Sequence, residues 1–209
     1  MARLPLGVLV SGTGTNLQAI LDAVHEGRLD ADVRVVISNK ADAVALDRAR
    51  ARGVPAITVS HKAYATREAF DGVLVEKLRE HGVEWVVLAG FMRLLTNVML
   101  AEFKNRIVNI HPSLLPAFPG IDAQKQAFDY GVKLAGCTVH LVDEGCDTGP
   151  ILMQRAVPVL DADDAAALRA RILAQEHAVL VDVLRAISQG KLVLVTGEDG
   201  RVRARLGAG

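Results

Sequence analysis

The sequence has few cysteines, few aromatic residues and no excess of charge of either sign. Cys137 and Cys146 are the two cysteines, and without a secretory signal they favour a reducing cytoplasm. Lysine plus arginine number 24, as do aspartate plus glutamate, which argues against a broad nucleic-acid or membrane surface. The longest apolar runs fall well short of a membrane span. A small anionic ligand is still compatible with this composition, because it needs only a local site.

No pattern for a metal site or a secreted fold is present. Cys137 and Cys146 lack the C-x-x-C spacing of a zinc site, and the six histidines form no ligand cluster. We therefore expect no metal, and a disulfide between the two thiols is disfavoured. The N-terminal apolar run superficially resembles a signal peptide, but it is short and is interrupted by Pro5 and Gly7.

Apolar runs alternate with helical patterns along the first half of the chain. The predicted strands are Leu6–Val10, Val33–Ser38, Pro55–Val59, Glu84–Leu88 and Arg106–Val108. The predicted helices are Thr15–Glu26, Ala41–Arg52 and Arg67–His81, and a short segment spans Thr96–Phe103. Continuous apolar strands separated by helices predict an α/β fold with a mostly parallel, helix-covered sheet.

The second half of the chain changes character. Strands are predicted at Leu134–Val142 and Ile151–Pro158, a long helix at Ala165–Ser188, and a closing β-hairpin at Lys191–Thr196 and Arg201–Leu206. The chain is 51% hydrophobic and only 4% aromatic, so it can bury a full core. We expect a single domain over residues 1–209. A Rossmann-like, phosphate- or nucleotide-binding half would span about 1–105, and a catalytic half over about 106–209 would close the active-site cleft.

The segment from Asn109 to Pro116, NIHPSLLP, is the most informative stretch. A short apolar strand ends at Asn109, and strand alternation places Asn109 and His111 on the same side. Pro112 biases His111 away from helix. An amide and an imidazole held in this way can donate two hydrogen bonds to one oxygen, which is what stabilising an oxyanion requires. The pair therefore predicts transfer chemistry at a carbonyl centre.

A glycine-rich loop, SGTGTNL, joins the first strand to the first helix. Glycines allow a tight turn, and the free N–H groups at the helix start can bind an anion, with Thr15 and Asn16 adding side-chain donors. The loop lacks the ending of a P-loop, and Leu17 occupies the third glycine position of a dinucleotide motif. It suits a single phosphate better than a dinucleotide, and an ordinary strand-to-helix turn is the alternative.

Four further segments carry candidate residues, each with a plainer alternative. LAGFMRLL around Gly90 offers an apolar wall for a flat ligand, or is simply core. Asp147, in a glycine-rich loop after the strand that contains His140, would favour a charged His111 if the two approach, or is only a turn residue. Arg67, after a predicted Thr66 cap, could bind a carboxylate or face solvent. Glu176 could accept a hydrogen bond from an amine or a ribose hydroxyl of a ligand, or is a surface carboxylate.

Together these segments resemble the folate-dependent phosphoribosylglycinamide formyltransferase family over nearly the whole chain. The motifs are SGTGTNLQAI, SNKADA, LAGFMRLL, VNIHPSLLPAFPG, VHLVDEGCDTGPI and AQEHAVL, in the order and spacing of the family. Departures are Asp122, where some relatives carry histidine, and Thr13 and Thr15 in the first loop. The catalytic motif itself is intact.

The resemblance implies transfer of a formyl group from 10-formyltetrahydrofolate, as cosubstrate, to the amine of glycinamide ribonucleotide in purine biosynthesis. It implies that Asn109, His111 and Asp147 are catalytic and that no metal is needed. The ribonucleotide would be bound by Gly14, Thr15, Asn16 and Glu176. The folate would be bound by Arg67, Met92, Arg93, Leu94, Leu95, Asn109, Asp143, Glu144, Gly145, Cys146 and Asp147. The partners would be small molecules, without nucleic acid or membrane, and the enzyme a cytoplasmic monomer or homodimer.

Four other functions remain open at this point. A methionyl-tRNA formyltransferase would usually carry an extra basic C-terminal domain, and a formyltetrahydrofolate hydrolase would typically carry an N-terminal regulatory domain. A non-catalytic nucleotide-binding module would explain the SGTGTNL loop, but not the ordered set of Asn109, His111 and Asp147. A Rossmann-type dehydrogenase is weaker, because the third glycine is absent.

Overall fold

The structure, a computed structural model, describes residues 3–207. Its fold is mixed α/β, with a seven-stranded sheet in the order β3-β2-β1-β4-β5-β6-β7 and a separate two-stranded sheet, β8-β9. The chain forms two compact units, residues 1–109 and 110–209, and β5 passes from one into the other. The predicted α/β class, the mostly parallel sheet and the closing hairpin are confirmed.

The first unit is built from parallel strands that alternate with helices. Its elements are β1 (Leu4–Val10), α1 (Thr15–His25), β2 (Ala31–Ser38), α2 (Val44–Ala51), β3 (Ala56–Thr58), α3 (Arg67–Glu80), β4 (Trp85–Leu88), α4 (Asn97–Glu102) and the start of β5 (Ile107–His111). The strands are continuous apolar runs because a parallel sheet is covered on both faces. On α1, Leu17, Ile20 and Leu21 follow the helical spacing of a buried stripe, and all three are buried.

The strand register of the first unit brings its candidate loops to one edge of the sheet. Leu9 of β1 lies opposite Leu88 of β4, and Leu88 lies opposite Asn109 of β5. The carboxyl ends of the three parallel strands therefore meet, and the Ser11 N–H donates to the Gly90 carbonyl at 3.1 Å. Ligands of open α/β sheets bind at this edge.

The second unit contains the end of β5, α5 (Ala123–Tyr130), β6 (Leu134–Leu141), β7 (Ile151–Pro158), α6 (Ala165–Ser188), β8 (Leu192–Thr196) and β9 (Val202–Leu206). β6 and β7 pair antiparallel, as do β8 and β9. Asp164 caps α6 by accepting a hydrogen bond from the Ala167 N–H at 2.7 Å. Leu168, Ile172 and Val179 lie along the buried side of this helix.

Two local predictions were wrong, and one helix was not predicted. The strand predicted to end at Asn109 continues to His111, so Pro112 ends β5 two residues later than its apolar run suggested. The second helix begins at Val44 rather than Ala41. Helix α5 was not predicted, since its AQKQAFDY sequence carries a single short apolar stripe, of which Ala123 and Ala127 are buried.

Candidate active site

β5 positions Asn109 and His111. Val108 and Ile110 are buried on one side of the strand, and its alternation places Asn109 and His111 on the other side, two residues apart. Asn109 is half-buried, whereas His111 is only 4% exposed. The predicted side-by-side arrangement of the amide and the imidazole on one strand face is therefore present in the backbone.

His111 lies between two acceptors of the second unit. Its Nδ1 is 3.3 Å from Oδ2 of Asp147, and its Nε2 is 2.8 Å from the carbonyl oxygen of Phe118. A carbonyl oxygen and an ionised carboxylate can only accept, so this arrangement offers an acceptor to each of the two ring nitrogens. The approach of Asp147 to His111, on which the prediction of a charged His111 depended, is observed.

A second histidine, to which the sequence argument gave no role, also faces Asp147. His140 of β6 is 2% exposed, and its Nε2 lies 3.6 Å from Oδ1 of Asp147. Its Nδ1–H donates to the Leu141 carbonyl at 2.9 Å, which turns Nε2 toward the carboxylate. The signal in the sequence was a histidine in an otherwise apolar strand, placed just before an acidic, glycine-rich loop.

Asp147 is consequently held in its ionised form. Burial would raise the pKa of this carboxyl, but hydrogen bonds from His140 and from the Gly120 N–H, together with the charge of His111, hold the pKa at about 2. The Gly120 N–H donates to Oδ2 at 2.8 Å. Asp147 adopts a left-handed backbone conformation, with φ 57°. Its carboxylate contacts three groups, His111, His140 and the Gly120 N–H, which hold this residue of the glycine-rich loop in place.

The rest of the Asp147 loop is exposed and is organised by Asp143. Asp143 Oδ1 accepts from the Gly145 N–H at 3.2 Å and from the Thr148 hydroxyl at 2.7 Å. Glu144, Gly145 and Cys146 face solvent. Burial, and then the charge of Asp147, raise the pKa of the Cys146 thiol, which disfavours a nucleophilic role. The folate contacts predicted for residues 143–147 stay predictions.

The SGTGTNL loop of the first unit is tightly packed on α2. Gly14 is left-handed, φ 71°, and is the N-cap of α1, so no side chain caps the helix. A Cβ atom at Gly14 would lie 2.5 Å from the Cβ of Ala45. Glycine avoids this collision because it has no Cβ atom. The Ala45 N–H donates to the Gly12 carbonyl at 3.1 Å, and Arg48 Nε donates to the Thr13 carbonyl at 2.8 Å.

The segment after β4 combines exposed apolar side chains with buried anchors. Met92 and Leu94 are 71% and 59% exposed, while Phe91 is buried and belongs to the core instead of the predicted apolar wall. Arg93 lies over the Phe70 ring, 5.8 Å from its centroid. Leu95 is half-buried. The exposed pair leaves an apolar surface beside the carboxyl edge of the first unit, as a planar ligand would need.

The two remaining candidates differ in burial. Arg67 is the exposed first residue of α3, and the predicted cap by Thr66 is confirmed by a 3.1 Å hydrogen bond from the Ala69 N–H. Glu176 on α6 is only 5% exposed, so the alternative of a surface carboxylate is wrong. Its neighbour His177 has a buried Nε2 without a hydrogen-bond partner in the described part of the chain, and burial lowers its pKa.

Two absences hold for residues 3–207. Within that range, no three His, Cys, Asp or Glu side chains are grouped so that they could hold a metal ion. None of the helices there is both long enough and apolar enough to cross a membrane.

Comparison with known proteins identifies the class to which this fold and site belong. Residues 6–184 match the formyl transferase family model, so the chain belongs to the formyl transferase family. It is 43% identical over 180 residues to phosphoribosylglycinamide formyltransferase of Bacillus subtilis, covering 86% of this chain and 92% of that protein. The Escherichia coli enzyme of the same name is 42% identical over 185 residues, with 88% and 87% coverage. Within the family, the chain therefore groups with the phosphoribosylglycinamide formyltransferases.

Structural comparison agrees with this assignment. Glycinamide ribonucleotide transformylase 1 from Symbiobacterium toebii superposes with a TM-score of 0.94 at 53% identity, over 99% of this chain and 95% of that one. A trifunctional purine biosynthetic protein, adenosine-3, of Drosophila melanogaster is 46% identical over 194 residues, 92% of this chain. The chain spans only 14% of the length of that relative.

Proposed function

We propose that this chain transfers a formyl group from 10-formyltetrahydrofolate to the amine of glycinamide ribonucleotide, in purine biosynthesis in the cytoplasm. The products would be formylglycinamide ribonucleotide and tetrahydrofolate. The observation that carries the proposal is the His111–Asp147 pair, 3.3 Å apart, at the end of the strand that also presents Asn109. Relatives of this chain carry the name of that activity.

The proposed reaction proceeds through a tetrahedral intermediate. The substrate amine attacks the formyl carbon, the carbonyl oxygen becomes an oxyanion, and Asn109 with the His111 imidazolium donates hydrogen bonds to it. Asp147 keeps His111 charged and, through water, assists the proton transfer from the attacking amine to the leaving nitrogen. The chemistry is acid–base and electrostatic, and needs no covalent enzyme intermediate.

One contact in the structure has to change before His111 can act in this way. Both ring nitrogens already have acceptors, Phe118 O at Nε2 and Asp147 Oδ2 at Nδ1. The Asp147 contact maintains the charge, so the bond to Phe118 O is the one that must open. We propose that the formyl oxygen replaces the Phe118 carbonyl at Nε2.

The ligand contacts of the proposal follow the candidate residues. The ribonucleotide phosphate would be bound at Gly14, Thr15 and Asn16, and Glu176 would contact the same substrate. The pterin would lie against Met92 to Leu95 and residues 143–147, with Arg67 near the glutamyl tail. We propose a monomer or a homodimer that binds small molecules alone, and no metal.

The test is an assay of the purified chain with 10-formyltetrahydrofolate and each candidate acceptor in turn. We expect tetrahydrofolate release that requires glycinamide ribonucleotide, and losses of about 100- to 1,000-fold in kcat for Asn109→Ala and His111→Ala. Asp147→Asn should also lose activity, because it removes the charge that pairs with His111. Equal release with water or with methionyl-tRNA as the acceptor would reject the proposed substrate, and normal turnover by all three variants would reject the mechanism.

A further inference from the structure

We propose that Arg48 of α2 is a positioning residue for the substrate phosphate. Its guanidinium would hold the SGTGTNL loop with the N–H groups turned outward and would supply uncompensated positive charge behind them. This inference rests on the proposed function, in which that loop binds the ribonucleotide phosphate. Nothing in the sequence argument pointed to Arg48, which lies on the neighbouring helix.

Two consecutive carbonyls of the loop accept hydrogen bonds from α2. The Gly12 carbonyl accepts from the Ala45 N–H at 3.1 Å, and the Thr13 carbonyl accepts from Arg48 Nε at 2.8 Å. Both donors belong to α2, so both carbonyls face that helix. Gly14 also lies close against Ala45 of the same helix, with no room for a Cβ atom.

The geometry of the peptide unit then fixes the direction of the loop N–H groups. In a trans peptide the C=O and the N–H point in opposite directions across a planar unit. The Gly12 carbonyl shares its peptide with the Thr13 N–H, and the Thr13 carbonyl shares its peptide with the Gly14 N–H. Pinning these two carbonyls to α2 therefore turns the N–H groups of Thr13 and Gly14 away from it. Successive N–H groups that point the same way form a concavity for an anion.

Among the described residues, the charge of Arg48 has no acidic partner, unlike that of its neighbours. Arg50 pairs with Asp47 at 2.7 Å and Arg52, just past the end of α2, pairs with Asp22 at 2.6 Å. Arg48 has neutral partners instead, the Thr13 carbonyl and, at 3.1 Å, Oε1 of Gln18. No carboxylate of residues 3–207 forms a salt bridge with it. Its charge is left to act on whatever anion the loop binds.

The chain supplies a matched control on the same helix. Arg50 is an arginine of α2 whose partner is Asp47, and among the described residues it forms no hydrogen bond or ion pair with the loop. Arg48→Ala and Arg50→Ala remove the same side chain from positions two residues apart on the helix, but only the first releases a loop carbonyl. Arg48→Lys retains the charge and one donor but loses the rigid fork that bonds to Thr13 and Gln18 together.

The experiment measures kcat and KM for both substrates in the wild type and the three variants. Arg48→Ala should raise KM for the ribonucleotide by about tenfold or more, leaving kcat and the KM for 10-formyltetrahydrofolate within about twofold. Arg48→Lys should recover part of this loss, and Arg50→Ala should resemble the wild type. Inorganic phosphate is tested as a competitive inhibitor and by titration calorimetry. It should bind to Arg48→Ala more weakly than to the wild type, by a factor similar to the rise in the KM for the ribonucleotide.

Several outcomes would overturn the assignment of Arg48. They are an unchanged ribonucleotide KM in Arg48→Ala, an equal rise in Arg50→Ala, or a similar rise in the KM for both substrates. Should Arg48→Ala fail to fold, Arg48→Gln gives the same comparison with a neutral side chain of similar length. Lack of any glycinamide-dependent transfer by the wild type would reject the proposed function, whereas normal transfer with an unaltered KM in the variant rejects only the role of Arg48.

Discussion

Ser11 donates a hydrogen bond from its hydroxyl to Oδ1 of Asn39 at 2.7 Å. The Ser11 oxygen accepts from the Met92 N–H at 2.9 Å, and Asn39 Nδ2 lies 3.3 Å from Nδ1 of His61. The direction of this series of hydrogen bonds is fixed, because a backbone N–H can only donate and the Ser11 hydroxyl hydrogen must then be donated to Asn39. It ties together the loops that follow β1, β2 and β4.

We predict that Asn39→Ala weakens this arrangement. Ser11 and Asn39 are both buried, so the Ser11 hydroxyl would be left without its acceptor, at a cost of about 1–3 kcal/mol in the free energy of unfolding. Urea denaturation measures the loss. The control is Asn97→Ala at the exposed start of α4, where the change should be within about 0.5 kcal/mol. Equal stability of the two variants would contradict the prediction.

Gly14→Ala is predicted to be harmful and Gly12→Ala to be tolerated, although both glycines lie in one loop. Gly14 has φ 71° and its added Cβ would lie 2.8 Å from the Ala45 Cα, whereas a Cβ at Gly12 meets nothing within 4 Å. The strained backbone and the collision should cost about 1–3 kcal/mol of stability and raise the KM for the ribonucleotide. Thermal unfolding and steady-state kinetics test this.

Ala45→Gly provides the complementary comparison. In the background of Gly14→Ala it removes the colliding methyl group but neither the 2.8 Å approach to the Cα of residue 45 nor the positive φ, so only part of the lost stability should return. Full recovery would show that the left-handed backbone of Gly14 contributes nothing. Two equally stable single variants, Gly12→Ala and Gly14→Ala, would show that the packing of the loop on α2 is not what restricts it.

Much of this organisation was predictable from the chain, because periodic apolar runs and glycine positions are local signals. The sheet class, the closing hairpin and the Thr66 cap each follow from a few adjacent residues. The contacts of Asp147 were not predictable, since they depend on how β5, β6 and the 118–120 loop meet. His140 has the sequence context of a core residue, and only the fold shows which side of β6 it occupies.

The length of β5 illustrates the same limit. Its apolar pattern stops at Val108, but pairing with β4 continues to Asn109 and the strand itself continues to His111. Arg48 is a similar case, because its contact with Thr13 joins residues 35 positions apart. Interactions between distant segments decide these features, and a local sequence pattern does not contain them.

The pH dependence of Asp147 should depend on His140. Burial raises the pKa of Asp147, but its hydrogen-bond donors and the two histidines bring it to about 2. Because this folded-state pKa is below the ordinary value, the carboxylate stabilises the folded chain above about pH 4. That contribution is lost as the pH falls through about 2.

His140→Leu removes one donor and leaves burial in place, so the pKa of Asp147 should rise. The acid limb of the kcat profile, measured from about pH 3 to pH 7, should move to higher pH. His140→Gln, which retains an amide donor, should produce a smaller shift. His177→Leu is the control, since His177 is half-buried in the same unit and has no contact with Asp147 among the described interactions. An acid limb that is the same in all variants would exclude a role for His140.

The segment between β4 and α4 is held by a buried carboxylate. Asp71 of α3 is 1% exposed and accepts from the Thr96 N–H at 2.6 Å and from the Thr96 hydroxyl at 2.8 Å. Asp71→Ala would leave the Thr96 N–H unsatisfied, and we expect a loss of about 2–3 kcal/mol in unfolding free energy. Asp71→Asn, which keeps one acceptor oxygen, should lose less. Exposed Glu68→Ala on the same helix should lose almost nothing, and an Asp71→Ala variant as stable as Glu68→Ala would contradict the assignment.

The contact between His111 and Phe118 should open when both substrates bind. Phe118 is held with φ 52°, a conformation that a phenylalanine rarely adopts, and the same short loop carries Gly120, whose N–H donates to Asp147. If the loop withdraws so that the formyl oxygen can reach Nε2 of His111, the Gly120 N–H should lose protection from hydrogen exchange. We expect faster exchange at Gly120 with ribonucleotide and a non-reactive folate analogue together than with either alone.

The control is the Leu115 N–H at the base of the same loop. It donates to the Thr138 hydroxyl, which itself donates to the Ser113 carbonyl at 2.7 Å, so its exchange rate should not change. A ternary complex in which the 2.8 Å contact to Phe118 persists would mean that His111 cannot donate to the oxyanion from Nε2.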